Sequence, residues 1–276
     1  MSSRCLIVLA CFLLSGGVLQ AKKDLPFEVG ERFNYKLTWG FFTVGSGSIE
    51  VEPAGSDEFH FALNVATNGF ADAIYRVRTS INSWVDKELT HTTLYKKRQQ
   101  EGRTNRSVVV DFDWTKNEAR FSNWDDFYEP ISIRPGVFDP LALMFIVRTR
   151  ESFTVGETFT MPVTDGKESE DAEFTVVKKE TIRVPAGSFE AYKILPKLKH
   201  VGGVFSKSKK SKMYVWISAD EKHLPLKLSS SVIVGSFSVT LQSMESPSDP
   251  EYLESIRTDR RKEDHGRRGF SSRRRR

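Results

Sequence analysis

Phe33, Tyr35, Leu37 and Trp39 fall on one side of an extended chain and Asn34, Lys36 and Thr38 on the other. A period of two over seven residues is the mark of a half-buried β-strand. The same alternation returns at 59–65, 108–114, 174–177, 182–184, 213–217, 224–228 and 237–241. Turn-forming clusters stand between these runs, among them Pro53–Asp57, Thr115–Asn117, Asp165–Lys167, Pro185–Ser188 and Ser218–Asp220. Short strands that recur with turns every ~8–12 residues predict an antiparallel sheet and exclude a βαβ protein. The expected fold is all-β: a strongly curved antiparallel sheet or partly open β-barrel, formed as a single domain over residues 25–243. Phe33, Tyr35, Leu37, Tyr214 and Trp216 are expected to share one interior.

The stretch Val44-Gly45-Ser46-Gly47-Ser48 interrupts this pattern. A glycine loop that cradles phosphate must lead from a strand into a helix whose N-terminus faces the anion. Here it leads into Ile49-Glu50-Val51-Glu52, which alternates again. The glycines therefore read as bend or bulge positions, where a missing Cβ lets the strand coil or a neighbour approach. Pro225 reads as a strand start at a bulge for a related reason, since it cannot donate a ladder hydrogen bond.

One helix stands out. Asp139 is an N-cap, Pro140 opens the first turn, and Arg148 and Arg150 sit at the favourable end of the dipole. Its apolar residues cover almost the whole circumference, which predicts a helix over about 139–150 packed on the concave side of the sheet. It is either a plug or a lid over an apolar cavity. In the second case the ligand-facing residues are Phe33, Tyr35, Leu37, Trp39, Leu141, Met144, Phe145 and Trp216. Residues 70–77 fit a turn of helix and a strand entry equally well.

Residues 1–21 combine Arg4, an apolar run and a small residue before Lys22-Lys23, the build of a secretory signal cleaved after Ala21. Both cysteines, Cys5 and Cys11, lie inside it. The remaining chain then has neither disulfides nor a thiolate nucleophile. The net charge of +5 comes from the ends, because Arg4 supplies one charge and residues 246–276 supply four. The body is neutral, so nucleic acid is not an expected partner. Residues 246–276 read as a disordered basic tail. Arg267, Arg268, Arg273, Arg274, Arg275 and Arg276 are candidates for contact with an anionic membrane or wall surface. The lysine run at 204–212 reads as the solvated tip of a long hairpin.

No catalytic, metal or cofactor site is expected. The five histidines never pair at ligand spacing, and no serine stands in a strand-to-helix elbow. Asp111 and Asp113 share a strand face and carry the minority reading, a hydrolase.

Several motifs resemble a known family: F-x-Y-x-L-x-W followed by V-G-S-G, V-D-K-E-L-T at 85–90, F-D-P at 138–140, T-I-R-V-P-A-G-S-F-E-A-Y-K-I at 181–194 and V-W-I-S-A-D-E-K-H-L-P-L-K-L at 215–228. Together they resemble the bacterial exported domains of unknown function DUF3108, over about residues 25–243. The last two are also distantly similar to periplasmic lipoprotein carriers, a resemblance that implies a curved sheet holding acyl chains in its concavity. The expected function is non-covalent binding of an apolar, acyl-chain-like ligand by a monomeric protein of the periplasm or cell envelope. The alternative is a structural or assembly partner with a side-chain-filled core.

Overall fold

A computed structural model describes residues 25–197, 213–231 and 236–248. The expected signal segment, the 204–212 tip and the arginine tail lie outside these residues. The first arm of the fold contains β1 (Arg32–Trp39), β2 (Phe42–Glu52), β3 (Glu58–Thr67), a one-turn α1 (Gly69–Asp72), β4 (Val77–Asp86) and β5 (Thr92–Glu101). It continues through β6 (Thr104–Asp113), β7 (Glu118–Asn123), β8 (Asp126–Phe127) and β9 (Ile131–Ser132). After α2 (Pro140–Arg148), the second arm contains β10 (Thr158–Thr164), β11 (Ser169–Val184), β12 (Gly187–Lys197), β13 (Met213–Ser218), β14 (Pro225–Ser231) and β15 (Ser236–Glu245).

All fifteen strands form one antiparallel sheet. The two arms are meanders, and they are joined because β15 pairs with β1. The sheet remains open between β10 and β8. A strap at 133–138 partly bridges that opening: Thr92 N donates to Val137 O at 3.3 Å, and Phe138 N donates to Pro162 O at 3.1 Å. This is the all-β, curved, unclosed architecture that the alternation predicts.

Local chemistry fixes the bends. Gly45 and Gly47 lie within β2, opposite Leu37 and Tyr35. A Cβ at Gly45 would stand 2.3 Å from Ala66 O, and one at Gly47 would stand 2.9 Å from Asn64 O. The glycines are thus required by the close approach of β3. Pro225 opens β14 beside a register shift in β13, as expected of a residue that cannot join the ladder. The ambiguous 70–77 stretch resolves into α1 followed by β4 from Val77. Asn68 caps α1 by accepting from Ala71 N at 3.0 Å, and its Nδ2 donates to Thr43 O at 2.7 Å.

The helix α2 lies inside the curve and packs on β3, β4 and β10. Every residue from Leu141 to Arg148 except Met144 is buried. Its N-cap, Asp139, is anchored as well as capping. Oδ1 accepts from Leu141 N at 2.8 Å and Ala142 N at 3.1 Å, while Oδ2 accepts from Ser83 of β4 and Thr92 of β5. One carboxylate therefore starts the helix and fastens it to two strands.

The Phe145 ring stacks on Phe61 of β3 at 3.9 Å, and Phe27 meets both edge-on at 5.5 Å. Removing this ring should lower the unfolding free energy by about 3–5 kcal/mol, the usual range for a large core truncation. The expected outcome is a markedly lower urea midpoint for Phe145→Ala. A midpoint within error of the parent would mean that the helix is not part of the core.

Candidate functional site

The interior beneath α2 is filled. Phe33, Tyr35, Leu37, Leu141, Phe145 and Trp216 belong to one buried cluster. Tyr35 donates its hydroxyl to Pro225 O at 2.8 Å, and burial pushes that phenol well above its ordinary range. Trp39 and Met144 stand apart from the cluster, 39% and 38% exposed. Trp216, expected to share the interior with Tyr35 and Leu37, instead shares the row of Lys227, Thr240 and Lys36 on the other side of the sheet, because the register alternates sides residue by residue. The Lys193 and Lys227 ammonium groups both lie 4.9 Å from its ring, and Nε1 donates to Glu180 at 2.9 Å. The space that the sequence assigns to a ligand thus holds the protein's own rings.

At the end of α2, Arg148 is 2% exposed and lies against Phe27, Phe33 and Phe145. It donates to both oxygens of Glu31, at 2.8 and 3.0 Å, to Lys222 O at 3.1 Å and to Pro26 O. Its own carbonyl accepts from His223 Nδ1 at 3.0 Å. Glu31 is equally buried. The pair ties the chain ahead of β1, the helix end and the β13–β14 turn into one knot.

Two surface features remain. The first is a trough of about 800 Å³ on the outer face of β1–β6, continuous with a hollow of about 460 Å³ around Lys36 and Asn68. Strand register lines up Ser243, Asn34, Ser48, Asn64, Ser80 and Arg98 across its floor. The charged residues that line it are Arg32, Arg78, Arg98 and Arg106, with no acidic residue among them. Arg32 is held by Glu50 at 3.0 Å and Arg78 by Asp72 at 2.6 Å. Arg98 and Arg106 have no ion-pair partner among the described residues. Trp124, at φ +55°, stands at the edge, 58% exposed.

The second feature is an aromatic apex. Phe41 and Phe42 at the β1–β2 hairpin, and Phe70, Ile74 and Tyr75 around α1, are all exposed. Phe42 and Phe70 face each other at 6.1 Å. Gly102, at φ +56°, lets the β5–β6 turn close under Tyr75, where a Cβ would stand 2.9 Å from the ring. The carboxylate candidates are placed differently. Asp113 accepts from Thr115 and from Lys116 N in the β6–β7 turn, and hydrogen bonds there, Thr115 Oγ1 foremost, hold its carboxyl below the ordinary range.

Residues 34–242, from within β1 to the bulge at Gln242, match the family described as a protein of unknown function, DUF3108. The chain belongs to this family. No curated protein matches it. A β-barrel-like DUF1849 protein from Brucella abortus has a similar structure, with a TM-score of 0.52 and 8% identity over 80% of this chain and 99% of that one. A hypothetical protein from Chlamydia trachomatis gives a TM-score of 0.35 at 9% identity, covering 79% and 88% of the two chains. The Brucella likeness supports the fold of this DUF3108 chain alone.

Two measurements probe the buried charges of the DUF3108 fold. Glu31→Gln leaves Arg148 buried without a counter-charge and should cost about 3–5 kcal/mol, whereas Glu31→Leu combined with Arg148→Met should recover most of that loss. Chemical denaturation of the three proteins reads both outcomes. Burial also pushes the Asp139 carboxyl above its usual range, against the four hydrogen bonds that favour its charge. The folded protein then keeps this proton over a pH window in which the unfolded chain has lost it, so this group's contribution to stability falls as pH rises. Asp139→Asn should accordingly gain on the parent as pH rises above the ordinary carboxylate range, read in paired urea titrations.

Proposed function

We propose that this DUF3108 chain is a non-catalytic, exported protein of the cell envelope that binds through its outer surface, as a structural or assembly partner. The observation that carries this reading is the filled interior. An acyl chain needs a few hundred cubic ångströms of apolar space, and Phe27, Phe61 and Phe145 occupy the place beneath α2 where it would lie. Export rests on residues 1–21, and the monomeric, non-catalytic reading rests on the sequence. An acyl carrier, the function expected from the sequence, is the alternative reading.

The aromatic apex supports contact with an anionic lipid surface. Exposed Phe, Trp and Tyr side chains at adjacent turns suit the boundary between head groups and acyl chains. Arg76 and Arg103 lie beside the turns that form this end, which adds charge complementarity. The arginine tail contributes in the same direction: each charge is worth about 1 kcal/mol near an anionic leaflet. The attraction decays over about 8 Å at physiological ionic strength.

Native mass spectrometry of protein taken from its own envelope should return the polypeptide mass without an adduct. A co-purifying acyl species would restore the carrier. Sedimentation with phosphatidylglycerol vesicles should fall for Phe41→Ser/Phe42→Ser and for deletion of residues 257–276, with added salt reproducing the deletion alone. Unchanged sedimentation of both variants would remove the membrane from the proposal.

A further inference from the structure

The trough on the outer face of β1–β6 is chemically unlike both the core and the apex. We infer that it is a binding site for an acidic oligosaccharide, a chain of polyhydroxylated rings carrying carboxylate, sulfate or phosphate groups. Four observations converge on this class. The floor is built from short polar side chains in register, Asn34, Ser48, Asn64 and Ser80, on neighbouring strands. Strands lie ~4.8 Å apart, so donors and acceptors repeat at close intervals along an extended ligand. Asn64, Ser80, Gln100 and Asn105 have no side-chain hydrogen bond within the described protein and are free to pair with hydroxyl groups, which both donate and accept.

The charge is of one sign. Arg32 and Arg78 are neutralised by Glu50 and Asp72, which leaves Arg98 as the uncompensated cation on the outer face of the trough, since Arg106 pairs in register with Gln99 and projects to the other face. A guanidinium presents paired N–H groups that match a carboxylate or phosphate edge, and it retains its charge at any physiological pH. An uncharged saccharide would leave this feature unused.

The exposed indole is the third observation. Trp124 follows β7 in a left-handed conformation, and its N–H donates to Ser107 O at 2.8 Å, so the backbone that carries the ring is fixed to β6. A rigid aromatic platform beside a hydrogen-bonding floor can stack on the apolar face of a sugar ring. Last, the space suits a short oligomer: about 800 Å³ lies within the ~300–1,000 Å³ typical of ligand sites. A peptide uses its own backbone to add a strand at a sheet edge, but this trough crosses the middle of a sheet whose strands are already paired on both sides. This assignment is independent of the apex and of the filled interior.

The test uses the full chain after removal of residues 1–21. Binding of tetragalacturonate, of a sulfated and of a phosphorylated oligosaccharide is compared by calorimetry with a neutral oligosaccharide of equal length. A single-stranded oligonucleotide serves as a second polyanion. The site predicts that at least one acidic saccharide binds at least about tenfold more tightly than the neutral one, a difference of about 1.4 kcal/mol. Arg98→Gln and Trp124→Ala should each weaken binding about tenfold without moving the thermal midpoint, because both side chains are exposed. Phe41→Ser/Phe42→Ser should leave it unchanged, which separates this site from membrane contact. The inference is overturned if no acidic saccharide binds, or if loss of Trp124 has no effect. It is likewise overturned if the oligonucleotide binds as tightly and with the same dependence on Arg98, because the trough is then a general polyanion surface.

Discussion

The buried pair of Arg148 and Glu31 is the constraint on which the rest of the packing depends. A guanidinium that is 2% exposed is tolerable only when its donors are met, and here Glu31 meets two of them while Pro26 O and Lys222 O take others. Removing a charge from water costs several kcal/mol, and a partner on the far side of the fold must offset it. The three segments that supply these groups are distant in sequence: the chain ahead of β1, the end of α2 and the turn after β13. Each can satisfy the arginine only when both arms of the sheet are in place. The pair therefore acts as a specification of the assembled fold more than as a source of stability.

The opposite end of α2 is likewise anchored through a buried polar side chain whose hydrogen bonds are met. Asp139 is fully buried, and its oxygens are shared between the helix N-terminus and hydroxyls on β4 and β5. A nine-residue helix is too short to be stable alone in water. Between these two buried polar anchors it need not be, since its ends are fixed and its flanks are covered by Phe27 and Phe61. The helix also packs on β3 and β4 of the first arm and on β10 of the second, so it links the two arms from within the curve. An open sheet with a plug of this kind behaves as a packed body, and the trough and the hollow beside it lie outside the plug.

Much of this was legible in the sequence, because alternation, turn chemistry and an N-cap are local signals. The strands around Phe33–Trp39, the Asp139-Pro140 helix start and the glycine bend all follow from side chains within a few residues of each other. What was not legible depends on register. Arg148 read only as a cation at the favourable end of the helix dipole, since nothing within helical reach of it reveals Glu31, 117 residues away. Met144 and Trp39 read as interior because apolar character gives no direction once a helix is apolar all round or a strand reaches its end. The trough was hidden for the same reason: Ser48, Asn64, Ser80 and Arg98 are unremarkable in their own strands and form a row only when four strands are aligned.

The segment Val44–Ser48 joins these two kinds of information. Gly45 and Gly47 face the same side as Leu37 and Tyr35, and both are excluded from bearing a side chain by the carbonyl oxygens of β3. Ser46 and Ser48 point to the other side, where Ser48 joins the polar floor and Ser46 borders both hollows. The period of two that alternates glycine with serine therefore separates two demands. The inward positions let β3 approach closely enough for the core to fill, and the outward ones keep the floor low and hydrogen-bonding. A larger residue at either outward position would preserve the fold while filling the trough. A larger residue at either inward position would strain the sheet before any surface property changed. Fold and recognition thus meet in one strand without competing for the same atoms.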